Sequence, residues 1–131
     1  MPINVLIVDD SRIVREFMTK TLKLTGHDIA NVYLAGNGQE GLDMLKLHPV
    51  SIIFLDINMP VMTGIEMVDK MQDVGILKKI PVVIVSTEGS ETRIDELTDK
   101  GVKDYVRKPF TPESIRDVLD KLVGGVSKLG R

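Results

Sequence analysis

Four short motifs carry the residues able to do polar chemistry: Asp9-Asp10, Asp56, Ser86 and Lys108. Carboxylates brought together repel and raise one another's pKa, and a divalent cation resolves that conflict. Oxygen donors without His or Cys suit the hard ion Mg2+, which keeps several waters and binds through one or two carboxylates plus phosphate oxygens. A lysine adds a cation suited to a phosphoryl group, and a serine adds a hydroxyl donor. Metal, lysine and hydroxyl together neutralise the equatorial oxygens of a phosphoryl in transfer, which is most of what that reaction asks of a protein. Asp56 is then the natural nucleophile, forming an aspartyl phosphate. Singly, each residue has a plainer reading, since a lone Asp after a strand is also common in turns and helix caps.

The chemistry requires that these distant positions meet, and the elements around them supply the means. Ile3 to Val8 reads as a buried strand that ends in Asp9-Asp10, with Ser11 as a good helix cap behind it. Val14, Phe17, Met18 and Leu22 share one face of the following helix, and Gly26 is placed to stop it. Asn31 to Ala35 is a weak second strand. Asn37 to Glu40 resembles a capping box opening a second helix. The third strand, Ser51 to Leu55, runs straight into Asp56, and Thr63-Gly-Ile-Glu66 caps the next helix. Ile80 to Val85 leads to Ser86-Thr87. A polar helix with few apolar anchors follows, mainly Ile94 and Leu97, with Gly101 at its end. Val102 to Val106 is a short strand carrying Tyr105, and Arg107-Lys108-Pro109-Phe110 follows it. Thr111-Pro112 then starts a helix whose Ile115, Val118, Leu119, Leu122 and Val123 form an apolar stripe.

Strand and helix alternate five times, which means a parallel sheet covered by helices on both faces. In such a sheet the carboxyl ends of the strands lie along one edge, and the crevice opens where strand order reverses. The acidic, hydroxyl and cationic groups all sit at those ends.

The bulk composition excludes several classes. The chain has 131 residues, which suits one domain, over 1–123, with 124–131 as a flexible glycine-rich tail. It has no cysteine, hence no disulfide or thiolate metal site. The net charge is -2 with both signs mixed, against a direct nucleic-acid partner built on bulk charge. No apolar run approaches the ~20 residues of a membrane helix, and no signal peptide is visible, so a cytoplasmic location is expected.

Asp9-Asp10, D-I-N-M-P-V-M-T-G at 56–64, V-S-T-E at 85–88 and Y-V-R-K-P-F at 105–110 resemble the receiver domain of two-component response regulators. Among these the single-domain chemotaxis type is the nearest match. The resemblance spans residues 3 to about 123. It implies an α/β, (βα)5 doubly wound five-stranded parallel sheet, flavodoxin-like, of order 2-1-3-4-5. It implies Asp56 as phosphoacceptor, with Lys108 binding the phosphoryl and Ser86 and Tyr105 as a switch pair. It implies Mg2+ held by Asp10 and Asp56 side chains, by the Asn58 backbone carbonyl, and by Asp9 through water. It implies that Asn58 and Glu88 flank the phosphoryl and influence its lifetime. Thr87 departs from the usual Ala or Gly, which puts access of small phosphodonors and phosphatases in doubt. The Lys108–Pro109 peptide is expected cis. The implied partners are a sensor histidine kinase or histidine phosphotransfer protein and a downstream output protein, with the chain a monomer or weak dimer. The only catalysis implied is its own phosphoryl transfer and autodephosphorylation at Asp56.

Phosphorylation adds roughly -1.5 to -2 charges. It would draw in Ser86 and Tyr105 and bias two packings of the fourth helix, fifth strand and fifth helix. Plainer roles stand beside these: Tyr105 as core filler, and the basic residues Arg12, Arg15, Lys20 and Lys23 as a solvated face rather than a docking surface. His27 and His48 are expected at the surface or in caps. Other readings remain: an Asp-nucleophile phosphatase, though such enzymes carry D-x-D on strand one, or a degenerate receiver scaffold. The chain is also readable as the N-terminal module of a longer regulator with a DNA-binding or enzymatic output, instead of a stand-alone protein.

Overall fold

The computed structural model describes residues 2–87 and 91–123, with only the backbone described at 91–93. Glu88, expected beside the phosphoryl, and the expected flexible tail, 124–131, lie outside the described residues. Among the described residues five strands alternate with five α-helices: β1 Ile3–Val8, α1 Arg12–Lys23, β2 Ile29–Ala35, α2 Gly38–Leu47, β3 Ile52–Leu55, α3 Gly64–Asp73, β4 Val82–Ser86, α4 Glu91–Lys100, β5 Asp104–Arg107 and α5 Pro112–Leu122. All pairings are parallel, in the order β2-β1-β3-β4-β5. The direction of winding reverses between β1 and β3, the strands that deliver Asp9, Asp10 and Asp56.

The side-chain alternation of the strands builds two cores. Leu6 and Val8 of β1, Ile53 and Leu55 of β3 and Ile84 of β4 face one side. There they meet Met67, Val68 and Met71 of α3 and Leu97 of α4. Val5, Ile7, Ile52, Phe54, Val83 and Val85 face the other, against Met18 and Leu22 of α1 and Ile115, Val118 and Leu119 of α5. Both faces of the inner strands are therefore buried, which is why they read as unbroken apolar runs. A fully buried side chain of this kind contributes about 1.5–3 kcal/mol.

The caps follow the sequence. Ser11 accepts from the Val14 amide, Asn37 from Glu40, and Thr63–Glu66 is a complete capping box. Thr111 caps α5, with Pro112 at its first position and Ser114 completing the box. α4 ends at Lys100, followed by Gly101 at φ +120°.

Some boundaries differ from expectation. β2 begins at Ile29, because the Ile3 amide donates to the Asp28 carbonyl and starts the pairing earlier. β5 runs over Asp104–Arg107, since it pairs with β4 from Val83 to Ser86. A 3-10 turn at Ile76–Lys78, not expected, tucks Leu77 under α3. Phe17 is 51 % exposed despite its place on the apolar face, and its ring lies 5.2 Å from that of Phe110. His27 corrects the expectation of a surface or cap role: its side chain is 4 % exposed and its Nε2 lies 2.7 Å from Asp120 of α5. His48 does cap α2, and it stacks on Tyr33 at 4.1 Å.

Candidate functional site

The ends of β1 and β3 lie side by side, and the Asp56 amide donates to the Val8 carbonyl at 2.9 Å. Asp9, Asp10 and Asp56 follow directly, and each offers a carboxylate oxygen, all within 4.8 Å of one another. Asp9 and Asp56 are buried, whereas Asp10 is exposed. Asp9 is tied down on several sides. Its amide donates to the Ala35 carbonyl at 3.0 Å. Its Oδ1 accepts from the Ser11 amide at 2.9 Å, its Oδ2 from Lys108 Nζ at 2.8 Å, and its carbonyl from Arg15 Nη1 at 2.6 Å.

Asp56 Oδ1 accepts from the Ile57 amide at 2.9 Å and lies 3.7 Å from Lys108 Nζ. Burial pushes the Asp56 carboxyl up from 3.8 to about 6, and the Asp9 charge adds to the rise. Lys108 and the Ile57 amide pull the other way, and Asp10 adds a smaller push upward. The loop behind Asp56 depends on Gly64. The Gly64 amide donates to the Ile57 carbonyl at 2.8 Å, and a Cβ there would sit 2.2 Å from the Asp56 carbonyl oxygen. Only a glycine permits that approach.

Ser86 ends β4 and is buried, and Thr87 beside it is exposed. The Ser86 carbonyl accepts from the Lys108 amide at 3.0 Å and from the Tyr105 hydroxyl at 3.3 Å. Tyr105 is half-buried in β5 and lines a cavity of about 170 Å3 with Ile94, Leu97 and Thr98 of α4. Asn58 is exposed on the loop after β3. The Lys108–Pro109 peptide is cis, as expected. The structure thus brings Asp9, Asp10, Asp56 and Lys108 together. Lys108 lies nearer to Asp9 than to Asp56.

The donor set tests the fit of a metal. Three carboxylates at such close range, one of them raised well above its ordinary value by burial and a neighbouring anion, are what a hard divalent cation relieves. The residues therefore fit Mg2+. Sequence reasoning missed the Arg15 contact to the Asp9 carbonyl, which carries no motif of its own. It also missed the structural need for Gly64, although the Thr-Gly capping position after Asp56 was a usable signal.

Comparison with known proteins agrees with this geometry. The family model for the response regulator receiver domain matches residues 5–120. A chemotaxis protein CheY homologue of Campylobacter jejuni is 35% identical over 122 residues, covering 92% of each chain. The two-component response regulator ORR11 of Oryza sativa is 35% identical over 123 residues, covering 93% of this chain and 82% of that one. Among solved structures, the chemotaxis protein CheY4 of Vibrio cholerae superposes with TM-score 0.82 at 32% identity, covering 93% of this chain and 99% of that one. A CheY from Borrelia burgdorferi, solved in complex with CheX, BeF3 and Mg2+, gives TM-score 0.83 at 29% identity, with 94% and 90% covered. With the fold, the acidic edge and these relatives in agreement, the chain belongs to the response regulator receiver domain family of two-component signalling, with CheY homologues among its relatives.

Proposed function

We propose that this receiver is a phosphoacceptor switch. Asp56 takes a phosphoryl group from the phosphohistidine of a sensor histidine kinase or a histidine phosphotransfer protein, and the chain then changes binding partners. The observation that carries this reading is the cluster of three carboxylates within 4.8 Å, with Lys108 Nζ against two of them.

Asp10 and Asp56 would hold Mg2+ through side-chain oxygens, Asn58 through its main-chain carbonyl, and Asp9 through water. When bound, the ion supplies positive charge for the phosphoryl oxygens. Asp56, with its carboxyl at about 6, is mostly ionised near pH 7 and serves as nucleophile. Oδ1 is held by the Ile57 amide, which leaves Oδ2 to attack phosphorus. An O–P bond forms, the P–N bond to the donor imidazole breaks, and the imidazole keeps the electron pair. Lys108 follows the new negative charge and exchanges part of its hold on Asp9 for the phosphoryl oxygens. The Ser86 hydroxyl turns to the same group. Tyr105, now bonded to the Ser86 carbonyl, is the side chain whose position then responds, against the cavity under α4.

For the donor, the surface beside the site is an apolar groove of about 270 Å3. Ile13, Val14 and Phe17 of α1 line it opposite Pro109 and Phe110, with Lys108 and Thr87 at its edge. A branched side chain at Thr87 would narrow the access of donors to Asp56. Asn58 and Glu88 are assigned to the lifetime of the phosphorylated state. The known CheY complex with CheX, BeF3 and Mg2+ supports the use of Mg2+ and of partner binding here. Like other receivers the chain is a signalling protein and not an enzyme acting on a free substrate. Among the described residues no helix is long and apolar enough to cross a membrane, and a cytoplasmic location fits donation by a kinase.

Beryllofluoride, a phosphoryl mimic, tests the reading in the presence of Mg2+. Amide NMR shifts near Asp56, Ser86 and Tyr105 are expected in the wild type and not in Asp56→Asn. An equal response in both proteins, or none in either, overturns it.

A further inference from the structure

We propose that Arg15 is a positioning residue for the divalent-cation site, acting through the Asp9–Asp10 peptide; this rests on the metal reading above. Arg15 lies in the first turns of α1 and is half-buried. Its Nη1 donates to the carbonyl of Asp9 at 2.6 Å, six residues back in the chain. That carbonyl belongs to the peptide joining Asp9 to Asp10. A peptide is planar, so a fixed carbonyl also fixes the Cα from which the Asp10 side chain departs.

Asp10 needs this help more than its neighbours do. Asp9 is held through its amide and both carboxylate oxygens, and Asp56 through its amide and Oδ1. Asp10 is exposed, and among the described residues no hydrogen bond holds its carboxylate. The loop must therefore present Asp10 to the ion through its backbone, and Arg15 is the side chain that grips that backbone from outside the sheet. Arg15, Glu40 and Asp10 line one cavity of about 370 Å3 at the end of β2. A methyl group added at Gly36 would sit 3.4 Å from Glu40 Oε1 and 3.7 Å from Arg15 Nη1. Glu40 Oε1 itself accepts from the Gly36 amide at 2.8 Å.

Loss of Arg15 is expected to change metal affinity with a sign opposite to that of a simple charge effect. A guanidinium near the site repels a cation, so removing it on Coulombic grounds alone would tighten binding. Removing a group that orients a ligand weakens binding, by about tenfold or more for partners that hold metal ligands in place.

The test is Mg2+ binding to the phosphate-free full chain, by calorimetry and by titration of the Asp10 and Ser11 amide shifts. It compares wild type, Arg15→Met, Arg15→Lys and Asp10→Asn. Arg15→Met is expected to weaken Mg2+ binding about tenfold while keeping a cooperative thermal transition. Arg15→Lys, which can still donate to the Asp9 carbonyl, is expected to recover most of the loss. Should Arg15→Met fail to fold, Arg15→Gln is read in its place. Unchanged or tighter binding on loss of Arg15, with binding lost in Asp10→Asn, overturns the role of Arg15 alone. Absence of Mg2+ binding in the wild type, or undiminished binding in Asp10→Asn, overturns the metal reading and this proposal with it.

Discussion

The crowding of carboxylates has a cost in stability that one substitution should reveal. In the metal-free protein Asp56 has its carboxyl raised from 3.8 to about 6, first by burial and then by the charge of Asp9. The folded state therefore binds the proton more tightly than the unfolded chain does. Ionised Asp56 destabilises the fold, in full above about pH 6, less between pH 6 and 3.8, and not at all below. At 1.36 kcal/mol per pH unit the rise corresponds to an upper limit of about 3 kcal/mol. The carboxylate is 11% exposed but faces an open sheet edge, where solvent screening reduces the figure to about half, or roughly 1.5 kcal/mol. Asp56→Asn removes the charge, and its amide oxygen can still accept from Ile57 N. For a chain of this length the unfolding entropy converts 1.5 kcal/mol to a Tm increase of about 5 °C. The assay is thermal unfolding by far-ultraviolet circular dichroism in EDTA, from pH 4 to 8. Asp56→Asn should melt about 5 °C above wild type at pH 7.5, and the gap should shrink to about 1 °C at pH 4. A variant no more stable than wild type at pH 7.5, or a gap that does not change with pH, would refute the electrostatic account of this site.

Two further outcomes follow from the loop after Asp56. Val61 is 83% exposed and adopts φ +67°, a left-handed conformation that a β-branched residue resists. Val61→Asn should relieve that strain without loss of packing and raise stability by about 0.5–1 kcal/mol in urea unfolding; a decrease would show that Val61 makes a contact that matters. Gly64→Ala places a methyl 2.2 Å from the Asp56 carbonyl oxygen, so the loop must move. A loss of about 2–4 kcal/mol is expected, with the Asp56 amide resonance shifted; a near-neutral change by the same unfolding measurement would show that the loop gives way at little cost.

The five strand–helix units, their caps and the set of groups at the strand ends are legible in the chain alone. Those are local matters. Apolar runs such as Ile52 to Leu55 announce burial on both faces, and Ser11, Thr63 and Thr111 cap the helices from within a few residues. The rule that parallel strands place their carboxyl ends on one edge then carried Asp9, Asp10, Asp56 and Lys108 to a common site. Strand order came from family resemblance, because periodicity alone does not say which strands are neighbours.

The contacts made by long side chains across elements come from the packing of the folded chain. Lys108 pairs with Asp9 at 2.8 Å and stands off from Asp56 at 3.7 Å. His27 lies buried against Asp120, 93 residues away. Phe17, apolar and correctly spaced for the core, stays half in solvent against Phe110. Arg15, one of several basic residues on α1 that read as a solvated face, turns back to hold the Asp9 carbonyl. In each case spacing along the chain sets the direction in which a side chain leaves the backbone. The distance to its partner depends on how α1 and α5 pack against the sheet, and no pattern within one element encodes that.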